Sequence, residues 1–322
     1  MSAPRVSVIV TSFNKGSYIG ATIECLLAQT FSDWEAVIVD DGSTDNSVEL
    51  IHSYIGKDKR IRLFINDTNR GANFSRNKGI HEASGAYIVF LDGDDLLSPT
   101  CIESRYKLLE EKGFPDFLVF PMRAFRLEIG DAPYEWIPRS RFPLRDFLRH
   151  KLPWTISQPI WKRDFLLSLK GFDENFQRLQ DVELHTRALL VSGVRFELIR
   201  GEPDCYYRVE EGRLNFAKFA LLSRYVDSAL LFFRKFEAEA KARGLYPKLF
   251  GTLYAVYQML LYNRRIGAIS RQEFTRLERR LLNSEINVPK LKRIWFRTGE
   301  RAASLPVHIP GVNKIMSLLL EL

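Results

Sequence analysis

The chain has 322 residues, 46% of them hydrophobic, and a formal net charge of +8. This length and apolar content can form a sizeable core, in one large domain or two ordinary ones, without disulfides or a structural metal. The three cysteines, Cys25, Cys101 and Cys205, are widely spaced and include no Cys-x-x-Cys pair. They indicate neither a disulfide framework nor a zinc site, and a reducing compartment is expected.

The positive charge favours anionic partners, which include nucleotides, phospholipid head groups and nucleic acid, and charge alone does not choose among them. The first residues lack the apolar region of a signal peptide, and no window has about 18 uninterrupted apolar residues, the length of a membrane span. We therefore expect a cytoplasmic protein.

Up to about residue 120, strand-like and helix-like patterns alternate with short polar connections, as in βα units around a mostly parallel sheet. The first predicted helix covers residues 17–29, and the second follows the small polar residues 42–45, which suit a turn and an N-cap. The predicted strands cover residues 6–10, 36–39, 61–65, 87–91 and 117–120. The sequence thus predicts an α/β fold.

The pattern weakens over residues 123–159, a stretch rich in aromatic residues that contains five prolines. Irregular segments of this length in a compact domain are usually functional loops or lids. Further along the chain we predict a strand at 159–162, helices at 163–169 and 181–192, and strands at 195–199 and 205–209.

After about residue 212, apolar residues recur at alternating steps of three and four, which is typical of helices. Examples are Leu222, Val226, Ala229 and Phe233. We therefore predict a first domain at 1–212 and a helical region at 213–322. Its basic, aromatic-bearing stretch 290–301 could lie on an anionic membrane or pack as an ordinary helical appendage.

Two acidic clusters directly follow buried apolar runs. Residues 40–43, Asp-Asp-Gly-Ser, follow the run 36–39, and residues 92–95, Asp-Gly-Asp-Asp, follow the run 87–91. Open α/β sheets bind ligands at the carboxyl ends of their strands, so the clusters predict a shared polar site. Mg²⁺ and Mn²⁺ prefer oxygen ligands and often bridge carboxylates to substrate phosphates, although one such acid alone would fit a solvated turn.

Three other groups of residues are candidates for the site. Residues 69–79 form a basic opening to a helix that would favour an anion, so Arg70 and Arg76 either hold a diphosphate or are surface arginines. Thr11 and Phe13, at the end of the first strand, either grip a base or cap the next helix. Asp181 begins a predicted helix, as an N-cap or as a general base.

Taken together, seven motifs occur in an order that resembles family 2 glycosyltransferases, the inverting GT-A-fold enzymes that use nucleotide-sugar donors. Each motif alone is weak, whereas the ordered set is highly specific. The resemblance covers the first two-thirds of the chain and rests on residues 6–14, 39–45, 75–79, 90–95, 171–174, 180–181 and 206–208.

The resemblance implies a role for each of the candidate residues and a divalent cofactor, Mn²⁺ or Mg²⁺. The family usually has Glu-Asp where this chain has Gln180 before Asp181, a difference that concerns the pKa of the aspartate more than the chemistry. The implied roles are a base pocket bordered by Thr11 and Phe13, base recognition by Asp41 with help from Asp40, nucleotide contacts by Arg76 and Asn77, support by Arg70, a ribose or metal contact by Asp92, the principal metal ligand Asp94, a positioning role for Asp95, and the catalytic base Asp181.

The same resemblance implies single displacement with inversion, a donor that is more often a UDP-sugar, and an acceptor that is a glycan or a lipid-linked molecule in bacterial polysaccharide or cell-envelope synthesis. A location on the inner face of the cell membrane, through the basic stretch 290–301, fits such an acceptor. Two alternatives remain: a phosphatase similar to haloacid dehalogenases, and a non-catalytic module that binds partners through its basic tail. No motif for RNA or DNA recognition is present, so nucleic acid is not expected as a partner.

Overall fold

The computed structural model describes residues 3–209, 219–283 and 286. Within these residues the chain forms two compact units. The first contains residues 3–141, 153–174 and 187–209, and the second contains residues 142–152, 175–186, 219–283 and 286. The second unit therefore includes two segments that precede residue 212, and the domain boundary at 212 stays a prediction.

The first unit contains two β-sheets. The strands are β1 (Val6–Ser12), β2 (Trp34–Asp40), β3 (Ile61–Ile65), β4 (Tyr87–Asp92), β5 (Leu96–Leu97), β6 (Phe117–Val119), β7 (Met122–Phe125), β8 (Glu135–Trp136), β9 (Pro159–Lys162), β10 (Phe196–Leu198) and β11 (Cys205–Arg208). The larger sheet has the order β10-β6-β9-β4-β1-β2-β3, and the smaller has the order β5-β11-β7-β8.

The larger sheet is mostly parallel, as predicted: β9 alone runs against its neighbours β4 and β6. All seven residues of β2 are buried. Burial on both faces explains why a strand such as β2 appears in the sequence as a mostly apolar run. Every strand predicted in this sheet is present, with ends shifted by no more than two residues.

The helices are α1 (Ile19–Leu27), α2 (Ser47–Ile55), α3 (Ala72–Glu82), α4 (Cys101–Glu111), α5 (Pro143–Leu148), α6 (Arg163–Ser168), α7 (Gln180–Leu190), α8 (Phe219–Ala242), α9 (Tyr246–Arg265) and α10 (Arg271–Leu282). Helix α5, strand β8 and all but the first residue of strand β7 lie in the stretch 123–159, where the sequence pattern is weak. These elements are short, and their apolar residues span too few turns or strand repeats to produce a period.

Helices α8, α9 and α10 confirm the predicted helical region within its described part. The four apolar positions noted in α8 are buried, because they share one face of the helix. In α10, Ser270 and Glu273 form a capping box that satisfies the first backbone N–H groups. Of the helices described, none is both long and apolar enough to cross a membrane. The basic stretch 290–301 lies outside the described residues.

Candidate active site

The carboxyl ends of β2, β1 and β4 lie side by side in the larger sheet. Thr11 of β1 is in register with Asp92 of β4, and Ser12 is in register with Asp40 of β2. The two acidic clusters therefore flank the end of β1, on the edge where open α/β sheets bind ligands.

Asp92 forms hydrogen bonds to the neighbouring strand β1 and to helix α3. Its Oδ1 accepts a hydrogen bond from the Thr11 hydroxyl at 3.0 Å and one from the Arg76 guanidinium at 2.9 Å. The Arg76 side chain is only 7% exposed, whereas that of Asp92 is 33% exposed. The carboxylate is thus oriented by the half-buried Thr11 and the buried Arg76 while it is still accessible to a ligand. The structure brings Thr11, Arg76 and Asp92 together, and the ligand contacts assigned to them stay predictions.

Asp94 is a nearly buried carboxylate paired with a lysine. Its side chain is 4% exposed, and its Oδ2 forms an ion pair with the ammonium of Lys15, which lies just after β1. The same ammonium lies 5.7 Å from the centre of the Tyr18 ring. A carboxylate withdrawn from water needs a cation or hydrogen-bond donors, and Lys15 supplies positive charge here.

Asp95 and the main chain beside it are held by Arg208, at the end of β11. The Arg208 backbone N–H donates to Asp95 Oδ1 at 2.9 Å, and its guanidinium donates to the Asp94 carbonyl at 2.9 Å. The guanidinium also lies 4.8 Å from the Tyr18 ring and 4.3 Å from the Phe125 ring. Arg208 therefore fixes the loop that carries the acidic cluster, and Asp95 is part of that support.

Asp40 closes the turn that follows β2. It is fully buried, and its carboxylate accepts hydrogen bonds from the Ser43 backbone at 2.8 Å and the Ser43 hydroxyl at 2.7 Å. The Asn14 backbone donates to that hydroxyl, and the Asn14 side chain accepts from the Thr44 backbone, both at 2.8 Å. The turns after β1 and β2 are thus linked. Phe13, beside this junction, is 43% exposed and can offer an aromatic face to a ligand.

Asp41 orders the loop that leads into α3. Its Oδ1 accepts hydrogen bonds from Asn66 Nδ2 and the Arg70 backbone, both at 2.9 Å, and its Oδ2 accepts one from the Gly71 backbone at 2.8 Å. The Arg70 guanidinium lies 3.7 Å from the centre of the Phe74 ring. The Asp41 carboxylate therefore has a defined structural role, and base recognition by Asp40 and Asp41 stays a prediction.

Asn77 joins α3 to the segment 171–174. Its Nδ2 donates to the Phe172 carbonyl at 2.9 Å and to Glu174 at 2.8 Å, and its Oδ1 accepts from the Phe172 backbone at 2.7 Å. Arg187 donates to the Gly171 carbonyl of the same segment at 2.7 Å. Because both N–H groups and the oxygen of the amide are engaged, the structure assigns Asn77 a positioning role. Its predicted nucleotide contact stays a prediction.

Asp181 lies in the second unit, in the first turn of α7, where it is half-buried. On the same helix, the buried Glu183 forms an ion pair with Lys235 at 2.7 Å. One turn after Asp181, burial lowers the pKa of His185 to about 3, so this imidazole is neutral at physiological pH. The role of Asp181 as a base stays a prediction.

The carboxylates of Asp92 and Asp94 could hold a divalent cation. Within residues 3–209, 219–283 and 286, no cluster of three or more His, Cys, Asp or Glu side chains gathers at one point. Mg²⁺ and related cations are often bound by only one or two carboxylates, with the remaining ligands from substrate phosphates and water. Two hard oxygen donors at the sheet edge fit that kind of site.

Sequence reasoning missed two residues of the site. Lys15 directly follows the first motif, and Arg208 ends the last one, yet neither received a role. A cation next to a motif of the family was the signal for Lys15. For Arg208 the signal was an arginine inside an apolar and aromatic strand, where a buried guanidinium requires acceptors.

The chain is similar to known proteins in sequence and in fold. Residues 7–163 match the sequence model of Glycosyl transferase family 2. An uncharacterized glycosyltransferase of Haemophilus influenzae is 38% identical over 109 residues, which cover 34% of this chain and 44% of that protein. The uncharacterized glycosyltransferase MJ1057 of Methanocaldococcus jannaschii is 30% identical over 203 residues, covering 62% of this chain and 69% of that protein.

The matches to several relatives span less than half of those proteins. One is the putative teichuronic acid biosynthesis glycosyltransferase TuaG of Bacillus subtilis, which is 38% identical over 109 residues, 34% of this chain and 43% of that protein. The similarity to these relatives is thus concentrated in one part of each chain.

Solved structures share the fold. S. aureus TarS 1-349 has a TM-score of 0.61 and 17% identity, covering 94% of this chain and 81% of that chain. Its complex with UDP-GlcNAc has a TM-score of 0.57 and 18% identity, covering 85% and 90%. The mannosyltransferase PcManGT of Pyrobaculum calidifontis, in complex with GDP-Man and Mn²⁺, has a TM-score of 0.51 and 18% identity, covering 100% and 88%.

Proposed function

The chain belongs to glycosyltransferase family 2, and from this premise we propose that it transfers a sugar from a nucleotide-sugar donor to an acceptor hydroxyl. One observation carries the proposal. The register of β1, β2 and β4 brings both acidic clusters to one sheet edge, where Asp92 is oriented by Thr11 and Arg76. Family membership favours transfer over the phosphatase and the non-catalytic alternatives.

The donor in this proposal is a UDP-sugar. The UDP-GlcNAc complex of TarS supports this choice, although PcManGT is solved with GDP-Man. We assign the base to the surface between the exposed Phe13 and the turns after β1 and β2, and the ribose to Asp92. A panel of UDP- and GDP-sugars, scored by thermal stabilisation and slow donor hydrolysis, identifies the donor without knowledge of the acceptor. Stabilisation by GDP-sugars alone would contradict the UDP assignment.

Asp94, with Asp92, would hold a Mn²⁺ or Mg²⁺ ion. When bound, such an ion acts as a Lewis acid and neutralises the charge that develops on the departing diphosphate. The protein itself positions the two ligands: Thr11 and Arg76 orient the Asp92 carboxylate, and Arg208 fixes the main chain at Asp94. Arg76 can also place positive charge next to the donor.

We assign Asp181 as the general base of a single displacement. Its carboxylate removes the proton from the acceptor hydroxyl while that oxygen attacks the anomeric carbon from the face opposite the diphosphate. The carbon–oxygen bond to the diphosphate breaks as the new glycosidic bond forms, so the anomeric configuration inverts.

Substitution of Asp181 by Asn tests this assignment. The variant keeps the shape of the side chain but cannot accept the proton, so we expect turnover to fall by about 10²- to 10⁴-fold. UDP affinity, measured by calorimetry, should be unchanged. Asp164→Asn is the matched control, because Asp164 is an exposed aspartate in the first turn of another helix, α6. Unchanged turnover in Asp181→Asn would refute the assigned base.

The proposed acceptor is a glycan or a lipid-linked molecule, in bacterial polysaccharide or cell-envelope synthesis, approached at an anionic membrane surface. The name of TuaG supports a cell-envelope glycan. Residues 219–283 carry 12 lysines and arginines against 5 aspartates and glutamates, a charge excess that would attract anionic lipid. Sedimentation with vesicles of neutral or anionic lipid tests this, with the full chain and with a chain that ends at residue 285. Equal binding to neutral and anionic vesicles would contradict the proposal, and equal binding of both chains would contradict a role for residues 290–301.

A further inference from the structure

We propose that Lys15 is an internal cation that neutralises Asp94 when no divalent metal is bound, and that the metal must displace it. This inference rests on the proposed function, since it concerns the ligand set of a metal-dependent transferase. It adds a residue that competes with the metal and thereby sets the metal affinity of the site.

The burial of Asp94 is the first reason. Its side chain is 4% exposed, and an ionised carboxylate in that environment is stable only with compensating charge or hydrogen bonds. Lys15 provides that charge by contacting Oδ2 directly. A divalent cation would provide the same compensation at the same carboxylate, so the two cations compete for one anion.

The ability of Lys15 to move away is the second reason. Its backbone is fixed, because its N–H donates to the Ser47 hydroxyl at 2.8 Å. Its side chain is 21% exposed and ends in a point charge on four flexible methylene groups. The ammonium can therefore leave Asp94 for solvent by rotation of its stem, with no change in the backbone.

A contrast with Asp92 is the third reason. Asp92 is oriented by Arg76, whose side chain is 7% exposed and whose planar guanidinium makes directional hydrogen bonds. Of the two predicted metal ligands, one thus has a fixed cationic partner and the other has a movable one. Displacement by an incoming metal is therefore expected at Asp94, while Asp92 keeps its orientation.

Mn²⁺ titration followed by electron paramagnetic resonance tests the competition. We expect Lys15→Met to bind Mn²⁺ about tenfold more tightly than the unmodified protein, the factor that corresponds to about 1.4 kcal/mol. Lys15→Arg keeps the charge and should bind no more tightly than the unmodified protein. Lys112→Met is the matched control, because it removes another lysine–carboxylate ion pair, with Glu197 at 2.8 Å on the surface. Circular dichroism confirms that each variant is folded.

Amine labelling mapped by mass spectrometry distinguishes displacement from simple charge repulsion. Saturating Mn²⁺ should increase the labelling of Lys15 and leave that of Lys112 unchanged. Unchanged or weaker Mn²⁺ binding by Lys15→Met, or Lys15 labelling that does not rise with Mn²⁺, would overturn this inference alone. Failure of the unmodified protein to bind Mn²⁺, with or without UDP, would overturn both the inference and the proposed metal dependence.

Discussion

Substitution of Gly171 by Ala should destabilise the protein through one identifiable contact. Gly171 has a φ of +62°, a conformation that residues with a Cβ adopt at a cost. A Cβ at this position would lie 2.3 Å from Asn77 Oδ1 and 3.2 Å from Asn77 Cγ. That oxygen accepts the Phe172 backbone hydrogen bond, so the Asn77 side chain cannot yield without losing it.

The expected loss has two parts. The left-handed backbone costs an alanine about 1–2 kcal/mol. Loss of the part-buried hydrogen bond between Phe172 and Asn77 leaves its donor and acceptor unsatisfied, at about 1–3 kcal/mol. The free energy of unfolding of Gly171→Ala should therefore fall by about 2–5 kcal/mol.

Chemical denaturation followed by tryptophan fluorescence measures this loss. Gly193→Ala is the matched control, because Gly193 has a φ of +73° and no atom within 4 Å of an added Cβ. Only the backbone cost of about 1–2 kcal/mol should appear there. In the double variant Asn77→Ala/Gly171→Ala, the contact between the added Cβ and the Asn77 side chain should disappear. The double variant should therefore lose less free energy of unfolding than the sum of the two single variants. Equal losses in Gly171→Ala and Gly193→Ala would refute the reasoning.

Two further predictions concern Arg208 and His185. Arg208→Lys keeps the charge but loses the guanidinium contacts to the Asp94 and Arg126 carbonyls. The free energy of unfolding should therefore fall by about 1–3 kcal/mol, and the Mn²⁺ affinity should weaken. An unchanged melting temperature and Mn²⁺ affinity would contradict the role assigned to Arg208. Burial lowers the pKa of His185 from 6.5 to about 3, so protonation of this side chain favours the unfolded state. The stability that His185 contributes is complete above pH 6.5 and is lost as the pH falls through 6.5 towards 3. The free energy of unfolding, measured by urea denaturation over this range, should decline with falling pH less steeply in His185→Phe, by up to about 1.4 kcal/mol per pH unit. The same decline in both proteins would contradict this assignment to His185.

Much of the fold could be predicted because its signals are local. Strands buried on both faces appear as apolar runs, and acids directly after such runs lie at the carboxyl edge of the sheet, as Asp40 and Asp92 do. The helical region was predicted from the period of its apolar residues, and Leu249, Leu253, Val256 and Leu260 of α9 are all buried as that period requires.

Several features could not be predicted because they depend on residues far apart in the chain. The antiparallel insertion of β9 between β4 and β6 is an example, since no local pattern encodes the neighbour of a strand. The membership of residues 142–152 and 175–186 in the second unit is another. Both features depend on tertiary packing, and the spacing of apolar residues within one segment carries no information about it.

The sequence by itself determined which residues end at the sheet edge and which family the chain resembles, because both depend on order and spacing along the chain. Only the tertiary structure decided the partners of those residues. It paired Lys15 with Asp94, placed Arg208 against the main chain of the acidic loop, and engaged Asn77 with residues 172–174. The physical reason is that a buried charge or amide must find its partner in space, and that partner can come from any part of the sequence.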